Sequence, residues 1–180
     1  MKILYLLRHA KSSWKEPELS DFERPLNRRG KKDAPAMGAF LKAKNIRLEL
    51  IVSSPAKRAK KTAKKVAKAM DYPKEKICFN REIYEANVAD LFGIVHELSD
   101  QLSSVMLVGH NPSLNDLANL LLPESPIENI PTAGVVAIAF EVNSWREIEE
   151  NTGKLIFFEY PKKIFPETIQ NQALGTENYL

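Results

Sequence analysis

Two of the three histidines in this 180-residue chain stand directly after runs that read as buried strands. The run KILYLLR (2–8) ends in Arg8 and is followed by His9; SVMLVG (104–109) is followed by His110, Asn111 and Pro112. A third apolar run, LELIVS (48–53), leads through Ser53, Ser54 and Pro55 into a basic stretch that carries Arg58. Each piece alone has an ordinary reading: a surface turn, a hydrogen-bonded structural histidine, one more cation on a basic helix. In open α/β sheets, however, the carboxyl ends of the strands form the ligand crevice. There, two guanidiniums, two imidazoles and the first-turn N–H groups of a helix opening at 55–58 converge. That set suits a phosphoryl group. Planar forks grip its oxygens in pairs, a helix N-terminus favours its charge, and one imidazole can attack phosphorus in line.

The elements that must position these residues follow from periodicity. Strands are predicted at 2–8, 48–53, 104–109, 135–142 and 154–160, with a possible edge strand at 77–83 and a hairpin turn near 151–153. A helix over 28–44 has Asn27 as its N-cap, and Pro35 should kink it or delay its start. The segment 56–70 puts Ala59, Ala63, Val66, Ala67 and Met70 on one narrow face. A third helix, 88–98, turns Val88, Leu91, Phe92, Val95 and Leu98 inward. Ser113 is expected to cap a fourth, with Asp116 completing a capping box. This order predicts an α/β fold: a three-layer α/β/α sandwich with a mostly parallel central sheet and an antiparallel edge.

The segments LLRHAKSSW (6–14), RPLNRRG (24–30), SSPAKRAKKTA (53–63), VGHNPSL (108–114) and PTAG (131–134) resemble the histidine phosphatase superfamily, and more narrowly its SixA-type phosphohistidine phosphatase branch. The resemblance runs in order over residues 3–140 and implies a phosphoglycerate-mutase-like fold. It implies that His9 is the histidine that becomes phosphorylated, that Arg8 and Arg58 hold the phosphate, and that His110 contacts the phosphate and stabilises charge in the transition state. Ala10 stands where the larger superfamily usually has glycine. Mutase-like relatives place a glutamate acid near the segment REIYEAN (81–87), which makes Glu85 the candidate general acid and Glu82 the second; solvated loop carboxylates are the alternative. The expected activity is a metal-independent phosphatase that needs no cofactor and acts on phosphohistidine of a phosphorylated protein. The alternatives are a phosphatase of a small phosphate ester, or a phosphate-binding module without turnover. Nearby guanidiniums should depress the pKa of His9.

Composition bounds the rest. With 44% hydrophobic and 27% charged residues the chain is an ordinary globular sequence, read as one catalytic domain over 1–160 and a C-terminal tail over 161–180. A net charge of +3 is too small to argue for nucleic acid. One cysteine, Cys78, allows no internal disulfide and no Cys-pair metal site. No apolar run is long enough to span a bilayer, and the short apolar start does not read as a signal peptide, so a cytoplasmic location without membrane attachment is expected. His96 and Glu97 lack the second histidine of a zinc motif, and no Walker loop or dinucleotide fingerprint is present. The lysines of 56–70 read as a solvated face, or as cations that attract anionic partners. Trp14 either walls the pocket or packs beneath it, Ser12 and Ser13 are turn residues with donors to spare, and Asp21, Arg24 and Asn27 belong to a loop expected to fold over the site.

Overall fold

Alternation along the strands sorts the apolar side chains onto two faces, and each face is covered by a pair of helices. The computed structural model describes residues 1–123 and 126–166. The elements run β1 (Lys2–Arg8), α1 (Arg28–Ala43), β2 (Leu50–Ser53), α2 (Lys57–Ala69), β3 (Cys78–Phe79), α3 (Val88–His96), β4 (Ser104–Gly109), α4 (Ser113–Leu121), β5 (Val135–Phe140), β6 (Lys154–Glu159) and α5 (Pro161–Ile164). The sheet order is β3-β2-β4-β1-β5-β6. The strands β3, β2, β4 and β1 are mutually parallel, while β5 runs antiparallel to both β1 and β6. Tyr5, Leu7, Ile51, Met106 and Val108 pack with α1 and α2 on one face; Leu4, Leu6, Val52, Val105 and Leu107 pack with α3 and α4 on the other. This is the three-layer α/β/α sandwich read from the sequence, in the phosphoglycerate-mutase-like form.

Register decides where the chemistry sits. Arg8 pairs with Gly109, and Ser53 with Val108, so β1, β2 and β4 end level with one another. The residues that leave those strands, His9, Ser54 and His110, therefore emerge at one edge of the sheet.

Local details depart from the sequence reading in four places. First, α1 begins at Arg28 and runs through Pro35 without delay, because the Asn27 side chain accepts from Gly30 N at 2.8 Å and fixes the start. Second, Ser113 is the first residue of α4, not its cap, and no capping box forms. The chain already turns at His110, whose carbonyl accepts from Leu114 N at 2.9 Å, and Ser113 Oγ turns back to the same carbonyl. Third, the edge strand stops at Phe79, because Asn80 Oδ1 takes Glu82 N at 2.9 Å and starts a 3₁₀ turn over Arg81–Ile83. Fourth, β5 and β6 are not joined by a tight turn. Residues 141–153 connect them, carrying a 3₁₀ turn that buries Trp145 in the α3/α4 core. At the C-terminal end α5 buries Pro161, and Ile164 packs against the α1/α2 core; residues 167–180, most of the predicted tail, lie outside the described residues.

Candidate active site

The turn after β1 is gripped on every side. Arg8 N donates to Gly134 O at 3.1 Å, His9 N to Gly109 O at 3.0 Å, and Ala10 N to Thr62 Oγ1 at 2.9 Å. Ala133, held at φ 60°, donates its N–H to the carbonyls of Arg8 and His9, each at 3.1 Å. The motifs PTAG, VGH and RAKKT are thus neighbours because each supplies part of one backbone cradle. The segment RPLNRRG completes it. Asn27 N donates to Lys11 O at 2.9 Å, and a Cβ on Gly30 would lie 2.2 Å from that same oxygen, so only glycine lets α1 approach the loop this closely.

His9 is buried, and its Nδ1 lies 2.8 Å from the carbonyl oxygen of Ala10. A carbonyl only accepts, so Nδ1 carries the proton and Nε2 keeps its lone pair. Burial, above all, pushes the imidazole pKa down to about 3; the Ala10 hydrogen bond opposes this, and His110, Arg58 and Arg8 add to it. The guanidiniums act in the expected direction, but desolvation is the larger cause. The His110 ring lies 5.2 Å from that of His9, centroid to centroid. Its Nε2 is 2.8 Å from Ser54 Oγ, and its pKa is pushed down to about 4 by burial and then by Arg58, against Asp21 and with Arg8. Both imidazoles are neutral at pH 7.

The two arginines differ. Arg8 donates from one terminal nitrogen to Ile130 O at 2.8 Å, while its buried Nε and His110 Nδ1 have no partner among the described residues. Arg58, on the first turn of α2, is buried and doubly held by Asp21: one terminal nitrogen donates to the Asp21 carbonyl at 2.7 Å, the other to its carboxylate at 3.0 Å. No side chain caps α2. The structure thus brings Arg8, His9, Arg58 and His110 together at one strand edge.

Glu85 makes no hydrogen bond or ion pair with that group, although its charge is felt by Tyr84 beside it. Its residue is exposed at φ 63°, and its carboxylate has no hydrogen bond or ion pair among the described residues; Glu82 is exposed as well. The neighbouring Tyr84 points inward. Its hydroxyl donates to the Asp21 carboxylate at 2.8 Å, and its ring meets His110 edge-on at 5.7 Å. Asp21 also accepts from Arg24 at 3.1 Å. Burial raises the Asp21 pKa, but the hydrogen bonds from Tyr84, Arg58 and Arg24 and the Arg58 charge outweigh it and bring the carboxyl to about 2. Arg24 in turn bonds Ser12 and Ser13 and lies 3.2 Å above the centre of the Trp14 ring. Trp14 is 74% exposed, so it does not pack beneath the site. Sequence reasoning gave Asp21 only a place in the loop over the site and did not single out Tyr84. The one available signal was the Asp21–Arg24 spacing. Among the described residues no group of three or more His, Cys, Asp or Glu could hold a metal ion, and no helix is long and apolar enough to cross a membrane.

Comparison with known proteins places this geometry. The family model described as "Histidine phosphatase superfamily (branch 1)" matches residues 4–111. An uncharacterized protein of Mycobacterium tuberculosis is 26% identical over 165 residues, covering 87% of this chain and all of the relative. An uncharacterized chloroplastic protein of Arabidopsis thaliana is 30% identical over 152 residues, covering 80% of this chain and 69% of the relative. Among solved structures, a protein assigned as the phosphohistidine phosphatase SixA from Agrobacterium tumefaciens superposes with a TM-score of 0.77 at 28% identity, over 89% of this chain and 98% of that one. A mycobacterial glucosyl-3-phosphoglycerate phosphatase complexed with VO3 shares the fold, with a TM-score of 0.67 at 15% identity over 89% of this chain and all of that one.

Proposed function

Because this chain belongs to the histidine phosphatase superfamily and is a phosphatase, we propose that it removes phosphate from phosphohistidine on a protein, through an intermediate formed on its own His9. The observation that carries this reading is the state of His9. Its imidazole is neutral, oriented by the Ala10 carbonyl, and has Nε2 bare, with two guanidiniums and a second neutral imidazole beside it. In the first step Nε2 attacks phosphorus, the bond from phosphorus to the substrate's nitrogen breaks, and the departing imidazole takes up a proton from solvent water. In the second step water attacks phosphorus, releases inorganic phosphate and restores His9. Arg8 and Arg58 supply the charge clamp for both steps, and His110 supports the developing charge. A reducing compartment such as the cytoplasm suits a chain whose one thiol, on Cys78, is exposed and unpaired.

The exposed, unbonded Glu85 favours phosphohistidine over a small alkyl ester. A leaving imidazole, with an ordinary pKa near about 6.5, departs with far less acid help than an alkoxide does. The test compares wild type and Glu85→Gln on a phosphohistidine peptide, an aryl phosphate and an alkyl phosphate. The reading expects turnover of the first two to fall by much less than the roughly 10²–10⁴-fold typical of a lost general acid, with slow alkyl turnover in both proteins. Fast alkyl hydrolysis by wild type that collapses in Glu85→Gln would instead identify a small-ester phosphatase with Glu85 as its acid.

A further inference from the structure

The helix that supplies Arg58 is also the most one-sided surface of the molecule. Its buried side is Arg58, Ala59, Thr62, Ala63, Val66 and Ala67. At 3.6 residues per turn, Lys57, Lys60, Lys61, Lys64 and Lys68 fall on the opposite stripe, with Lys65 at its margin. No acidic residue lies within α2, and none of these lysines is in an ion pair among the described residues. Like charges three and four residues apart repel, and cations near the helix N-terminus oppose the macrodipole. The Lys64 amine is pushed below its ordinary pKa by desolvation and by Lys60, Lys61 and Lys74. The fold therefore carries an uncompensated row of cations at a cost to its own helix. The opposite layer carries more acid than base: Asp90 and Asp116 on α3 and α4, Glu97 directly after α3, and Glu147, Glu149 and Glu150 beside the buried Trp145 and Ile148 are exposed, with Arg146 among them.

The row starts at the candidate active site. Thr62 Oγ1, which holds the Ala10 N–H, donates to the Arg58 carbonyl at 2.7 Å, so the first turns of α2 abut the turn that carries His9. From Lys57 the stripe runs about 16 Å along the helix axis. Beside it Lys60 lies over the ring of Phe79 at 5.2 Å, a side chain 39% exposed on the edge strand.

We propose that this α2 stripe is a docking surface for an acidic protein segment adjoining the phosphorylated histidine. The inference rests on the phosphohistidine reading above and adds the partner's chemistry to it. Charge complementarity brings the anionic partner to the face that adjoins the pocket, and repulsion by the acidic α3/α4 layer disfavours docking on the far side. The helix-length stripe and the apolar Phe79 at its side match a folded or peptide surface of mixed character better than a bare polyphosphate backbone.

The experiment uses the full chain and two synthetic peptides. Each carries one histidine, phosphorylated with phosphoramidate, and the histidine is flanked by glutamates in one and by glutamines in the other. At low salt, wild type should show a kcat/KM for the acidic peptide about tenfold above that for the neutral one, and the difference should shrink toward one as salt approaches about 0.5 M. The triple variant K60E/K64E/K68E should lose or reverse that preference while keeping wild-type turnover of the neutral peptide and of an aryl phosphate. No preference in wild type, or an equal preference in the variant, would overturn the docking surface. Tighter binding of single-stranded DNA or of anionic vesicles than of the acidic peptide would also overturn it. Failure to dephosphorylate either peptide, with aryl phosphate still hydrolysed, would overturn the phosphohistidine reading and this surface with it.

Discussion

At the scale of single residues, what His9 can do is set by where its proton sits. The Ala10 carbonyl keeps Nδ1 protonated, and burial keeps the ring neutral, so a nucleophile is available without a neighbouring base. This much followed from the sequence in outline: an Arg-His pair at the end of a buried strand, with a second histidine at the end of another. The part that was not legible is the hub on Asp21. That carboxylate lies 37 positions before Arg58 and 63 before Tyr84, and no periodicity relates a loop residue to partners so distant. Its geometry makes Asp21 a positioning residue for the Arg58 fork: the carboxylate accepts from one terminal nitrogen and the backbone carbonyl from the other. Asp21→Ala should keep the backbone anchor but lose the carboxylate one, loosening the Arg58 fork and lowering kcat/KM by about ten- to a hundredfold, a cost typical of small misplacements in an active site. Asp21→Asn, which keeps an acceptor oxygen, should recover much of that loss. Steady-state kinetics on an aryl phosphate checks this, and equal activity in wild type and Asp21→Ala would remove Asp21 from the account.

At the scale of elements, the site is a convergence of short backbone contacts, and the sequence motifs mark where they occur. RPLNRRG was one of the segments that carried the family resemblance, and its Asn27 cap was readable from residue type. The reason for Gly30 was not readable, because it lies in the approach of α1 to Lys11, a tertiary distance. The expected capping box at Ser113 failed for a related reason: the turn at His110 that shapes the site also starts α4 early. Gly30→Ala must push the Lys11 backbone away. The expected outcome is a destabilisation of about 1–3 kcal/mol by urea unfolding, the range for overpacking. It should be accompanied by reduced activity, because Lys11 directly follows the cradle of His9 and Ala10. Unchanged stability and activity would mean that this close approach does not support the site.

At the scale of the whole molecule, the strand and helix order was legible because continuous apolar runs marked the buried strands and helical spacing marked the helices; which strand residues face which pair of helices comes from the structure. The β5–β6 connection was not read, although Ser144 and Glu147 form a capping box there; the burial of Trp145 and its backbone bond to Asp100, 45 positions away, are tertiary. Two buried neutral histidines also give the fold a pH dependence. In the unfolded chain each imidazole has a pKa near about 6.5, whereas in the fold His9 is at about 3 and His110 at about 4. The unfolded chain therefore binds protons first as pH falls. Stability should be full above the unfolded value and decline from about pH 6.5 toward 4 and 3, by roughly 5 kcal/mol at pH 4.5 and by a total on the order of 8 kcal/mol below both folded values. His9→Asn should remove about half of that decline, measured by urea unfolding at pH 7 and pH 4.5; parallel curves for the two proteins would contradict the buried-neutral assignment. The central claim, that catalysis passes through His9, is tested most directly on the intact protein. A His110→Ala chain, slowed in turnover, is mixed with a phosphohistidine peptide and quenched in base, where phosphohistidine survives. Mass spectrometry should then find one acid-labile phosphoryl group, mapped to His9 and absent from a His9→Ala/His110→Ala chain. Phosphate on any other residue, or full turnover by His9→Ala alone, would contradict the account.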